Sequence, residues 1–394
     1  MKTSRRQLLK SGLFTVGGLT LAPHLSISES WRSKPAMDAA GNALYSPFFK
    51  EYIDKPFEEP KTILAKLNAN ENPHGPSPMA VKALQEGASL GNRYAWRELF
   101  GLMDKIAEKE GVTAKNIMMG PGSSDLLEKT GVVLFLNGGN IVSADPAYMS
   151  MIRVAEATGA SWKGVPLKKD WSHDLDAMEK AIDSDTKLVY ICNPNNPTGS
   201  LTDAKKLEDF CRRVSDKVPV FVDEAYLEFQ EEADQKSMVH LVAEGKNVMV
   251  ARTFSKIHGM AGIRVGYVVA QEETLEGIQS ITRAGMGISY PSIMAAMASM
   301  DDAEFLKKSR ELNTQSREYV CGELEKMGFD YIPSATSFVL FPIEMEGKSF
   351  LEKMRNQQVA CRAFDIMDRN WCRVSMGTME EMKFFVGALG TVLS

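Results

Sequence analysis

The 394-residue sequence predicts an α/β fold: a mainly parallel sheet between helices, with a smaller α+β domain beside it. Three features carry this expectation. Between residues 117 and 270, short Val/Ile-rich runs recur without polar alternation, the pattern of strands covered on both faces. Segments of helical period lie between several of them, and alternation of strand and helix builds parallel sheets. The chain is 44% apolar. At roughly 150 residues per domain it has material for two to three domains, burying about three quarters of its unfolded surface.

The amino terminus differs from the rest. Lys2, Arg5 and Arg6 form a basic start, and residues 11–22 form an apolar run softened by Gly and Thr. Twelve residues are too few for a bilayer, which needs about 20, and suit the apolar part of a cleavable export signal. Ser4-Arg5-Arg6-Gln7-Leu8-Leu9-Lys10 resembles the twin-arginine export signal. That resemblance implies a periplasmic or otherwise exported protein with no stable membrane insertion. Residues up to about 44 are rich in Ser, Ala and Pro and read as signal and linker.

The strands expected next are 117–119, 141–143, 161–166, 187–192, 218–222, 248–253 and 264–270. Expected helices include 124–136, 148–158 and 202–214, the last capped by Thr202 with Asp203 adding negative charge to its first turn. These elements form a large domain over 75–290. Residues 45–74 and 291–394 form the smaller domain, with a long helical lead and strands at 338–341 and 372–375.

Composition excludes several classes of function. With 46 basic and 51 acidic side chains, a formal charge of −5, and no long Lys/Arg block, the chain has no electrostatic footprint for nucleic acid. Its five cysteines show neither C-x-x-C nor a His-paired spacing, so no metal site is expected. Free, mostly packed thiols are expected.

In such a sheet the ligand sits at the C-terminal strand ends, and the loops there are distinctive. Gly120-Pro121-Gly122-Ser123-Ser124-Asp125 follows a strand and opens a helix, so its backbone N–H groups and hydroxyls can hold a phosphate. Asp125 stands where the dinucleotide fingerprint needs its third glycine. Three further loops are Asn193-Pro194-Asn195-Asn196-Pro197-Thr198-Gly199, Asp223-Glu224-Ala225-Tyr226 and Thr253-Phe254-Ser255-Lys256, with Arg264 eight residues beyond the lysine. Tyr148 follows Asp145-Pro146-Ala147 after another strand.

Pyridoxal phosphate demands an amine for its aldehyde, an acid near the pyridine nitrogen, donors for the phenolic oxygen, phosphate ligands and a flat group against the ring. Lys256 supplies the amine and a general acid/base for the substrate Cα proton. Asp223 would keep the pyridine nitrogen protonated, Asn196 and Tyr226 would donate to the phenolic oxygen, and Tyr148 would stack on the ring. His258, two residues after the lysine, is read as part of a turn.

With these residues in place the chain resembles a fold-type I pyridoxal phosphate enzyme of the class I/II aminotransferase family, most closely its histidinol-phosphate aminotransferase branch. The resemblance runs from about residue 67 to the C-terminus. Leu67-Asn68-Ala69-Asn70-Glu71-Asn72-Pro73 resembles that branch's opening segment, and Asn92-Arg93-Tyr94 its N-R-Y turn. It implies a homodimer in which Tyr94 reaches the neighbouring site. It also implies phosphate contacts from Gly122, Ser123, Ser124, Thr253, Ser255 and Arg264, and a carboxylate fork from Arg373. Arg362 falls where the branch binds a distal substrate phosphate, while Ser337 stands where it commonly has asparagine. The implied activity moves an amino group between an amino acid or phosphorylated amine and a 2-oxo acid such as 2-oxoglutarate. A decarboxylase or lyase would use the same Lys, Asp and Tyr set, and a noncatalytic binding protein could retain the fold; both stay open at this point.

Overall fold

All seven strands expected between residues 117 and 270 pair into one sheet. In spatial order they are Ile117–Gly120, Gly266–Val269, Val248–Thr253, Val220–Asp223, Thr186–Cys192, Asn140–Asp145 and Ser161–Pro166. The computed structural model describes residues 36–53, 62–283 and 285–393. The expected export signal lies outside the described residues.

The sheet is parallel except for Gly266–Val269, which runs antiparallel to both of its neighbours. That reversal has a purpose in the layout. Gly266 pairs with both Thr253 and Gly120, the last residues of the flanking strands. The chain just before Gly266, carrying Arg264, therefore enters at the edge where the parallel strands end.

The Val/Ile runs are buried because both faces are covered. Val189, Ile191, Val220, Val222, Val248 and Val250 belong to one apolar cluster, and Leu188, Tyr190, Phe221, Met249 and Ala251 to the other. Alternate residues of each strand thus serve opposite faces, as the pleat requires. Full burial on both sides removes the polar alternation that an exposed sheet would show.

Helix Ser123–Phe135 starts directly at Gly122, whose φ is +91°. A Cβ there would lie 2.0 Å from Arg264 Nη2, so the turn admits only glycine. The helix expected at 202–214 spans Ala204–Val214, and its cap is Asp203, whose side chain accepts from the Lys206 N–H. Thr202 is instead turned to the buried His173, whose Nδ1 is 2.7 Å from its hydroxyl.

A second, five-stranded sheet combines Ala43–Ser46, Phe49–Tyr52, Arg362–Ile366, Arg369–Ser375 and Phe338–Pro342. Its first strand begins inside the stretch read as linker: Met37 bridges to Ala43, and the Leu44 N–H donates to Ala36 O at 2.8 Å. The long helical lead into this sheet is two helices, Tyr290–Asp301 and Ala303–Lys326, the second capped by Asp302. All five cysteines are free, four of them buried.

Behind the central strands lies a buried charge cluster. Arg252 is 1% exposed, with its Nε 3.0 Å from Glu224 Oε2 and further nitrogens 3.8 Å from Glu110 and 3.9 Å from Glu228. Glu228 also takes Lys109 at 2.9 Å and faces His258, which is held at Nδ1 by Ser299. Arg252 and Glu224 flank the loops that carry Lys256 and Asp223. Their pairing fixes the spacing of those loops, because separating buried opposite charges leaves each uncompensated.

Candidate active site

One cavity of about 750 Å³ opens where the parallel strands end. Ser123, Ser124, Tyr148, Asn196, Asp223, Tyr226, Thr253, Ser255, Lys256, Arg264, Arg362 and Arg373 all line it. Loops far apart in sequence meet there because the sheet order juxtaposes their parent strands.

Asp223 ends its strand and is 2% exposed. Its Oδ1 accepts the Ala225 N–H at 3.1 Å and its Oδ2 the Tyr190 hydroxyl at 3.2 Å. Burial pushes its carboxyl up to about 6, while those two donors hold it lower than burial alone would. Tyr190 was not singled out from the sequence. Its place follows from strand pairing: Cys192 lies opposite Asp223, and Tyr190, two residues back, points to the same face.

Lys256 Nζ donates to the Ala69 carbonyl at 3.3 Å and lies 5.5 Å from the centre of the Tyr226 ring. Burial, with Arg373 adding repulsion, draws its amine down to about 8. An amine so lowered is partly neutral near physiological pH, as attack on an aldehyde requires.

The anion end is built around Arg264. Its φ of +60° is left-handed, a strained setting for a residue with a Cβ. The guanidinium compensates with Nη1 to Ser255 Oγ at 3.1 Å and to Ala261 O at 2.9 Å, and Nη2 to Pro121 O at 3.0 Å. Arg264 is thereby clamped against the N-terminus of helix Ser123–Phe135, where free N–H groups and the helix dipole favour a phosphate. The Ser124 hydroxyl lies 3.2 Å from that of Tyr148, which ties the expected stacking ring to the same end.

Arg373 is buried, with Nη1 donating to Asn196 Oδ1 at 2.6 Å and Nη2 to the Asn68 carbonyl at 3.5 Å. Its Nε is buried and has no hydrogen-bond partner among the described residues. Because the Asn196 oxygen is committed to Arg373, the amide nitrogen is the end left to donate. The Tyr226 hydroxyl accepts from Asn70 Nδ2 at 3.0 Å, so its own proton is free for another acceptor. Asn70 is itself left-handed and held by the Ser375 hydroxyl at its Oδ1.

Two expected residues stand apart. Tyr94 is 76% exposed beside Trp96 and does not line this cavity. Arg362 does line it, but its guanidinium is already engaged: Nη1 donates to Glu51 and Nε to the Asn68 carbonyl at 2.8 Å. Sequence reasoning missed Glu51, together with Tyr45, Phe49 and Arg153 on the same wall.

The residues fit pyridoxal phosphate. A carboxylate with no cation in contact among the described residues, a lowered amine and a strained arginine beside a helix start are costly alone. Together they match a protonated ring nitrogen, an aldehyde and a phosphate. The Arg373 guanidinium, which lines the same cavity, suits a substrate carboxylate.

Similarity to known proteins agrees with this geometry. The family model for aminotransferase class I and II matches residues 62–389. A histidinol-phosphate aminotransferase of Moorella thermoacetica is 34% identical over 353 residues, covering 88% of this chain and 91% of that protein. One of Akkermansia muciniphila is 35% identical over 331 residues, covering 84% and 90%. The crystal structure of histidinol-phosphate aminotransferase from Sinorhizobium meliloti in complex with pyridoxal-5'-phosphate superposes with a TM-score of 0.77 at 26% identity, covering 84% of this chain and 92% of that one. The fold is thus that of fold-type I enzymes, and the chain belongs to the class I and II aminotransferase family, as a pyridoxal phosphate-dependent transaminase.

Proposed function

We propose that this transaminase moves an amino group between an α-amino acid or phosphorylated amine and a 2-oxo acid such as 2-oxoglutarate, working as an exported homodimer. The observation that carries the reading is the convergence of the Lys256 amine, the Asp223 carboxylate and the Arg373 guanidinium on one cavity.

Pyridoxal phosphate, when bound, supplies an aldehyde and an electron-poor ring that takes up the electron pair left at the substrate Cα. The protein does the rest. Arg373 holds the substrate carboxylate through its fork and thereby orients Cα. Lys256 carries the proton away from Cα. Asp223 stabilises positive charge at the far end of the cavity, and the Tyr226 and Asn196 donors stabilise negative charge between them. The site would hold the phosphate with Ser123, Ser124, Ser255, Thr253, Arg264 and the Gly122 turn.

Exposure of Tyr94 outside its own cavity supports a role in a neighbour's site. The paired arginines and short apolar run at residues 4–22 support the twin-arginine route, which accepts folded, cofactor-filled proteins. Sedimentation of the purified protein should give a dimer, and cell fractionation should place it in the periplasm. A fully active monomer, or a wholly cytosolic pool, would contradict these two parts.

L-Glutamate should convert bound cofactor to its amine form, and Lys256→Ala should slow this by about 10⁴-fold or more, the loss of a general acid/base that also tethers the cofactor. Carbon dioxide release in place of amino transfer would favour the decarboxylase alternative. For Arg373→Ala, a cost of about 2–5 kcal/mol in binding carboxylate substrates is expected, with cofactor content unchanged; equal affinity would remove Arg373 from the carboxylate.

The lowered Lys256 amine sets a pH dependence. Below about 8 it is protonated and cannot attack; above it is neutral. Stopped-flow capture of pyridoxal phosphate by apoprotein should therefore accelerate with a midpoint near 8 and then level off. A rate still climbing beyond pH 10 would show an ordinary lysine.

A further inference from the structure

One wall of the cavity comes from the hairpin Ala43–Ser46 and Phe49–Tyr52, which contributes Tyr45, Phe49 and Glu51. It lies ahead of residues 62–389, the stretch that the family model spans. Strand Phe49–Tyr52 pairs antiparallel with Arg362–Ile366, with Glu51 opposite Phe364 and Tyr52 opposite Ala363. On its other side Arg362 lies opposite Arg373. The hairpin thus brings a carboxylate to an arginine that neighbours the carboxylate-binding one.

Glu51 is 8% exposed and bonded through both oxygens: Oε1 accepts from Arg362 Nη1 and Oε2 from the Tyr45 hydroxyl. The Tyr45 ring is covered in turn by the Arg153 guanidinium, 4.2 Å from its centre. Paired with Arg362 in so shielded a setting, the Glu51 carboxylate balances the guanidinium charge, so an anion approaching Arg362 meets a nearly neutral pair and gains little attraction from it.

We propose that Glu51 occupies the anion-binding face of Arg362 and so selects substrates whose side chain ends in an uncharged group against those ending in a phosphate. The inference rests on the amino-transfer reading above and narrows its substrate class. A phosphate monoester brings about −1.5 to −2 charges at neutral pH. It must either accept an arginine whose charge Glu51 already balances or displace Glu51, and displacement strands a buried carboxylate. The distal carboxylate of 2-oxoglutarate brings one charge and is opposed less. An uncharged side chain meets no such opposition and packs on Phe49 and Phe364.

The test uses holoenzyme and compares kcat/KM for histidinol phosphate, L-glutamate and L-phenylalanine in wild type, Glu51→Gln and Glu51→Gln/Arg362→Gln. Glutamine keeps the shape of Glu51 and can still bond Tyr45. Ratios between substrates within one protein cancel any loss of folded or loaded enzyme. Wild type should favour phenylalanine over histidinol phosphate. Glu51→Gln should raise the histidinol phosphate to phenylalanine ratio by at least about tenfold, with a smaller rise for glutamate, and the double variant should lose that gain. An unchanged ratio in Glu51→Gln, or a wild type that already favours the phosphate, overturns the selectivity while leaving amino transfer intact. A gain that survives in the double variant overturns it too, by moving anion recognition to Arg153. Absence of any cofactor conversion by all three amines in wild type would defeat the amino-transfer reading itself, and this inference with it.

Discussion

A buried carboxylate and a buried amine share one cavity, and much of the structure exists to keep both there. Asp223 and Lys256 are each raised or lowered toward their neutral forms by burial, Asp223 up to about 6 and Lys256 down to about 8. Neither group gains from its position until something between them carries complementary charge at one end and an aldehyde at the other. The strain at Arg264 and Asn70 has the same character. Each is a local cost borne by a well-packed sheet whose central strands are covered on both faces.

The sheet converts sequence into site through direction more than through composition. Parallel strands deliver Asp145, Cys192, Asp223 and Thr253 to a common edge, and each is followed by a loop that lines the cavity. A fully parallel sheet would have sent Arg264 to the opposite edge. The reversed strand Gly266–Val269 lets the arginine return beside Pro121 and Ser255. Behind this edge, Arg252 and its three carboxylates tie the Asp223 and Lys256 loops together from below. The smaller sheet supplies what the reaction needs from the substrate side, with Arg373 reaching across to Asn196.

The central sheet was legible because strands buried on both faces lose their alternation, and a Val/Ile run such as 248–253 then has no competing helical pattern. Boundaries shifted where a side chain had another partner: Thr202 is not a cap because it serves His173, leaving the role to Asp203. Lys256, Asp223 and Asn196 could be found because their chemistry is tied to loops at strand ends, whereas Arg373, inside strand Arg369–Ser375, was reached only through the family resemblance. Tyr190 and Asn70 could not, since each acts through a partner that only pairing or the folded backbone brings near. Glu51 was hidden for a related reason. Nothing in a short hairpin marks a carboxylate as the neighbour of an arginine 311 positions later.

The separation of roles between the two ends of the cavity is the claim on which the chemistry depends. It is tested most directly by a crystal structure of the protein grown with pyridoxal phosphate. A covalent bond from the cofactor to Lys256 Nζ is expected, with the phosphate against Ser123, Ser124 and Arg264 and the ring nitrogen within hydrogen-bond distance of Asp223. A cofactor bound in the reverse sense, with its phosphate at Asp223, or a cavity that takes up none from excess coenzyme, would contradict it.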